Sequence, residues 1–181
     1  QMAFEGKIFV ASDADQNDAV TGQTSFANTP PTFLLDIPVG TVAIPLFLDL
    51  SQSGTVAGGP IDIYIEIDYI DRYSSGGTDE KSFNTSRNVA RSKLYSNPTA
   101  VAGYGINVWQ ATIGQDVSPA EGAVQGPFWQ PRFPMILKGP AAFNVFTVAA
   151  TTGPTWLWQF GWIESTYKDL EDLFKIPNRG D

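Results

Sequence analysis

The chain contains neither cysteine nor histidine. The first absence excludes disulfides, zinc–thiolate sites and thiol nucleophiles. The second removes Ser-His-Asp triads, histidine-ligated metals and the commonest acid–base catalyst. An enzyme built on this sequence would have to work with carboxylates. Charge is scarce too: charged residues make up 17% of the 181, and 11 basic against 19 acidic residues leave a net charge of -8. Phosphate binding needs a basic footprint, so nucleic acid is not an expected direct partner. The one local basic cluster, "RNVARSKLY" with Arg87, Arg91 and Lys93, reads as a solvated loop or strand face. No apolar run reaches the ~18–20 residues that cross a bilayer as a helix. The opening "QMAFEGKIFV" lacks the pattern of a signal peptide.

What the chain does have is apolar and aromatic bulk. Hydrophobic residues make up 43%, and five Trp and twelve Phe need a core or an interface to cover them. The length suits one domain spanning residues 1–181. Strand signals dominate it. They fall at 4–11, 32–37, 41–50, 61–70, 105–112, 132–138, 142–150 and 155–164, separated by Gly- and Pro-bearing connections such as "PVG", "SQSGTVAGGP" and "TTGPT". The clearest is "IDIYIEIDYI": Ile61, Ile63, Ile65, Ile67 and Tyr69 share one face and Asp62, Tyr64, Glu66 and Asp68 the other, the period of a half-buried strand. Pro45 inside the third segment predicts an edge or a bulge. Residues 82–95 are ambiguous. A helix is expected only at about 165–176, where Tyr167, Leu170 and Phe174 recur on one stripe and Thr166 with Asp169 forms a capping box. Many strands with Gly/Pro turns predict an all-β, antiparallel sandwich or barrel with a short C-terminal helix.

Three stretches invite a chemical reading. "SDADQNDAV" crowds Asp13, Asp15, Asn17 and Asp18 into six residues, the oxygen donors of a calcium loop. Position 6 of such a loop is Asp18 where Gly is needed and position 12 is Thr24 where Glu is needed, so a polar turn is the better account. Glu66 and Asp68, two apart on a strand and ~6.8 Å from each other, have a spacing a glycosidase could use. A solvent-facing row of charge, with Asp62 beside them, is the better account, since nearly every half-exposed strand has one. In "TWLWQFGWIE", Trp156, Trp158, Phe160 and Trp162 share a face whose area, ~800 Å², exceeds the apolar patch a monomer usually exposes. That face is therefore covered by the chain's own core, by another subunit or in part by a stacked sugar. Leu157 and Ile163 on the other side imply a central strand covered on both faces. "GPFWQPRFP", with Phe128, Trp129 and Phe133 among Pro and Gly, is either a loop packed on the sandwich or a clasp to a neighbour.

The segment "PTFLLDIPVGTVAIPLFLDLSQSGTVAGGPIDIYIEIDYID" resembles the front of single jelly-roll viral coat proteins: a strand, a "PVGT" turn, a Pro-containing apolar strand, a Gly-rich loop and a long alternating strand. "PTWLWQFGWIES" looks like the last strand of such a protein. The resemblance covers most of residues 30–165 as a pattern and not as a signature motif. It implies an eight-stranded antiparallel jelly-roll sandwich, no catalysis and no cofactor. It also implies a capsid subunit of a virion that associates with other copies of itself, or with a second capsid protein. Coat proteins that package RNA directly often carry a basic N-terminal arm. Here Lys7 is the only basic residue before Arg72, so the chain is more similar to the upright single jelly-roll coats of tailless viruses that enclose a lipid membrane. On that reading the subunit interface draws on Phe128, Trp129, Phe133, Trp156, Trp158, Trp162, Tyr167, Leu170 and Phe174. A lectin-like carbohydrate-binding module, secreted or at a cell surface, and a carboxylate glycosidase are the alternatives from other classes.

Overall fold

The computed structural model describes residues 6–13, 19–53, 59–103, 105–114 and 129–169. They form fourteen strands: β1 (Ile8–Ser12), β2 (Val20–Thr21), β3 (Phe33–Ile37), β4 (Thr41–Gln52), β5 (Pro60–Asp68), β6 (Tyr73–Ser75), β7 (Thr78–Glu80), β8 (Ser82–Phe83), β9 (Lys93–Ser96), β10 (Thr99–Ala100), β11 (Ile106–Gly114), β12 (Leu137–Lys138), β13 (Ala141–Ala149) and β14 (Thr155–Thr166). One six-stranded sheet runs β12-β4-β14-β1-β8, with β2 also on β14; the other runs β11-β5-β13-β3-β9-β7. A two-stranded ribbon joins β10 to β6. All of the ladders are antiparallel.

The eight segments legible as strands in the sequence match β1, β3, β4, β5, β11, β12, β13 and β14, although of the expected 132–138 only Leu137–Lys138 is a strand, because Pro134 cannot donate to a ladder. Taken in chain order they pair first with last (β1·β14), second with seventh (β3·β13), third with sixth (β4·β12) and fourth with fifth (β5·β11). Their order in the two sheets is 1-8-3-6 and 2-7-4-5. The six short strands that the sequence did not announce decorate this framework.

The two sheets face each other across one core. Ile61, Ile63 and Ile65 on β5 are fully buried, as the period of two required, while Tyr69 lies beyond the strand end and is 58% exposed, so it does not share their face. On β14 the aromatic face is turned inward: Trp156, Trp158, Phe160 and Trp162 are 0%, 5%, 1% and 0% exposed. Phe33 meets Trp158 with ring centroids 4.9 Å apart, and Phe143 meets Phe160 at 5.4 Å, contacts that cross from one sheet to the other. Strand β14 is central, between β4 and β1, but its outer face is not covered as expected: Leu157 and Gln159 are exposed. Pro45 sits where the β4–β14 register shifts, because Gly161 pairs with Phe47 and Trp162 with Pro45. Leu46 is the extra residue of this bulge, next to the proline that cannot donate to the ladder. Gly40, at φ 81°, closes the turn that carries the chain from β3 in one sheet to β4 in the other.

The predicted capping box is present. The Asp169 N–H donates to Thr166 Oγ1 at 3.2 Å, and the Thr166 N–H donates to Asp169 Oδ2 at 3.3 Å. The Thr166 N–H, helped by the Thr166 side chain, holds the Asp169 carboxyl below its usual range. The two bonds open a helical turn at 167–169. Leu170 and Phe174, on the rest of the expected stripe, lie outside the described residues.

Candidate functional site

The segment from Trp129 to Leu137 carries Pro131 and Pro134, which can neither continue a helix nor donate to a ladder. It is tied at both ends to the free edge of β4. Trp129 exchanges two backbone hydrogen bonds with Leu48, at 2.8 and 2.9 Å, and Leu137 pairs with Ala43. Those anchors lie five residues apart on β4, ~17 Å, and the longer intervening chain has to arch outward. Phe133, within the arch, is 71% exposed and Ile136 39%. Beneath the arch opens a groove of about 720 Å³, floored by Ile67, Val108 and Trp109 and rimmed by Tyr69, Arg132 and Phe133. Its volume falls within the range of ligand pockets, and its lining sets apolar and aromatic side chains beside Gln130 and Arg132.

Most of the aromatic residues expected at a subunit interface do not stand at one. Trp156, Trp158 and Trp162 fill the chain's own core, and so does Trp129, 4% exposed with its ring 5.3 Å from Phe143. The correction has a simple cause: β14 is sandwiched against the opposite sheet, and the large aromatic area is hidden within one chain. The same burial withdraws the β14 rings as a sugar platform. Tyr167 is half-buried on its own chain, where its hydroxyl donates to the Gly139 carbonyl and Lys138 Nζ stands 5.9 Å over its ring. Phe133 alone among the described candidates is open to a partner; Phe128, Leu170 and Phe174 lie outside the described residues.

The carboxylates of β5 are tied into structure. Asp62 accepts a hydrogen bond from Thr112 at 2.6 Å. Asp68 pairs with Arg72, which is completely buried and whose Nη2 donates to the Asn28 carbonyl at 2.6 Å. Asn28 in turn donates to the Gly103 carbonyl at 2.9 Å. Arg72 therefore locks three loops onto the outer face of β5. Burial pushes the Glu66 carboxyl above its usual range and Asp68 adds to the push, while Arg72 and the Gly105 backbone oppose it. Neighbouring Asn144, fully buried opposite Glu66 on β13, has no hydrogen-bond partner among the described residues for either amide atom. Of the proposed calcium loop only Asp13 is described, its N–H on the Trp158 carbonyl at 3.3 Å; Asp15, Asn17 and Asp18 lie outside. No group of three or more carboxylates among the described residues is placed to hold a metal ion.

Two further residues matter that sequence reasoning missed. Glu164 is 7% exposed and accepts the backbone N–H groups of Arg91 and Ser92 at 2.6 and 2.8 Å, joining the end of β14 to the approach of β9 in the other sheet. Its signal was available: 164 continues the inward parity of 156, 158, 160 and 162. Arg72 gave only an Asp-x-x-x-Arg spacing, which on a strand end carries little meaning. Searches of family models, curated proteins and solved structures return no match to this chain.

Proposed function

We propose that the chain is a jelly-roll coat subunit that works by associating with copies of itself to build the capsid of a virion. The observation that carries this reading is the pairing order of the eight long-range strands. Four ladders, first with last through fourth with fifth, are what an antiparallel ribbon gives when it is wound into the double Greek key of a jelly roll. That architecture also hosts lectins and enzymes, so the site must favour one use. Exposed Phe133, Tyr69, Ile106, Ile70 and Val101, with the groove under the arch, give the monomer an apolar surface suited to association. Repeated around closed symmetry, modest contacts of this kind add up to a stable shell. A second capsid protein and an underlying membrane remain parts of the proposal, and the net charge of -8 supports a shell that does not bind its genome directly.

The test is the oligomeric state. Size-exclusion chromatography with light scattering, followed by electron microscopy, is expected to find oligomers or particles; Phe133→Ser is expected to weaken them without lowering the melting temperature. A second reading has its own support: a groove lined by Trp109, Tyr69 and Phe133 could stack a sugar. It predicts a monomer whose Trp fluorescence responds to glycans and stops responding in Phe133→Ser.

A further inference from the structure

A sheet of six strands has two edges, and an edge strand presents unpaired N–H and C=O groups that another strand can complete. The two sheets here offer four such edges at the ends of their strand orders, besides the two-residue β2 beside β14. Three are blunted. Strands β8 and β12 have two residues each, and β7 has three, two of them Asp79 and Glu80. The fourth is β11, nine residues long, with the sequence "INVWQATIG". It carries no charge and no proline, two of the usual devices against edge pairing; its one irregularity is a register shift to β5 between Asn107 and Trp109, where the Trp109 N–H donates to Asn107 Oδ1 at 3.1 Å. Among the described residues nothing pairs with its outer side.

We infer that β11 is an association edge on which a second copy of this chain adds its own β11, antiparallel about a two-fold axis through Gln110. Only a strand satisfies a row of backbone donors and acceptors along nine residues, and a strand adding to itself under two-fold symmetry must run antiparallel. Overlap centred on Gln110 places Gln110 opposite Gln110 of the second copy and Ala111 opposite Trp109, and beyond them the pairing steps past Val108, which the register to β5 also skips. No like charges come face to face, although the chain as a whole is strongly acidic. The two six-stranded sheets then become one continuous sheet of twelve. About one hydrogen bond per paired residue, less the Trp109 N–H already held by Asn107 Oδ1 and the residue stepped past, approaches the ~10 of a standard protein interface. Exposed Ile106 lies in this contact, and Val108 and Trp109 lead from it into the groove under the arch. This deepens the coat reading and rests on it for its purpose, since it names the contact by which copies would join.

The absence of any native cysteine gives a direct test. Residues opposed on antiparallel strands have Cα atoms ~4.5–5.5 Å apart, within the ~4.4–6.8 Å a disulfide spans. Gln110 is exposed, and a single Gln110→Cys change in the full chain is expected to yield a covalent dimer rapidly and nearly completely under mild oxidation. Leu157→Cys, exposed on the outer face of β14, is the control and is expected to stay largely monomeric. Gln110→Lys and Gln110→Asp, each alone, are expected to lose the association, and an equimolar mixture of the two to regain it. Circular dichroism and melting temperature of each variant establish that it is folded. If Gln110→Cys cross-links no faster than Leu157→Cys, or if the lysine and aspartate variants associate like the parent, the inference is overturned. Particles that form while Gln110→Cys fails to cross-link defeat the edge contact and leave the coat reading standing. A disulfide dimer of Gln110→Cys that never assembles further defeats the coat reading and leaves the edge contact.

Discussion

Replacing Arg72 by Met keeps the apolar stem of the side chain and removes the guanidinium with its charge. In the folded protein Arg72 is 0% exposed and is the one cation paired with Asp68 among the described residues, a carboxylate that is itself 9% exposed. Its Nη2 also satisfies the Asn28 carbonyl. Removing one member of a buried pair strands the other charge, a loss of about 3–5 kcal/mol. A protein of this size loses about 2–4 °C per kcal/mol, so the melting temperature should fall by about 6–20 °C. Asp68→Asn on the Arg72→Met background deletes the stranded charge and should recover at least half of that loss, although each change alone is destabilising. Thermal and urea melts of the four proteins at pH 7 form a double-mutant cycle. The expected coupling exceeds about 1.5 kcal/mol, on the order found for residues sharing one network. A fall of less than about 1 kcal/mol in Arg72→Met, within the range of an exposed ion pair, would refute the claim that this arginine locks the loops over β5.

Other predictions follow the same logic. Trp156 is fully buried and its Nε1 donates to Thr147 Oγ1 at 3.0 Å; Trp156→Ala should cost about 3–5 kcal/mol and Trp156→Phe less, measured by urea denaturation. Glu164→Gln keeps the shape and loses the charge that holds the Arg91 and Ser92 amides, so about 1–3 kcal/mol of stability should go, with faster hydrogen exchange at residues 91 and 92. Burial, and then Asp71, push the Asp36 carboxyl from 3.8 up to about 6 against the pull of Lys93. A raised folded-state pKa contributes stability that is fully present below the unfolded value and is lost as pH rises through about 6. The full shift corresponds to up to about 3 kcal/mol, and partial exposure reduces this to about 1–2 kcal/mol. Asp36→Asn should therefore melt above the parent at pH 7.5, and the gap should close near pH 4; a gap that persists at pH 4 contradicts the assignment.

How much of this was legible in the sequence depends on whether the signal was local. Alternation in "IDIYIEIDYI" located β5 and its inward face, because a period of two is written in neighbouring residues. Thr166 and Asp169 announced their capping box for the same reason. Pro45 announced a bulge but not its partner, since the register shift belongs to β14 as much as to β4. The aromatic face of β14 demanded cover, yet only the opposing sheet, through Phe33 and Phe143, determined that the cover was internal. That is why the sequence alone leaves core, subunit interface and sugar platform all open for Trp156, Trp158 and Trp162. Short β6 to β10 left no pattern, because two to four residues are too few to show a period. Strand β11 could be read as a strand but not as an edge, a property of the neighbour it lacks. The groove is equally non-local: Ile67 and Phe133 meet because β4 pins the ends of the arch.

The most direct measurement is the mass of the purified chain in solution across a wide concentration range, by light scattering behind size-exclusion chromatography, with electron microscopy of the heaviest fraction. The account predicts a defined oligomer or closed particle whose formation depends on Phe133 and on the β11 edge. A mass of 19.6 kDa at every concentration, with no particles, would contradict it.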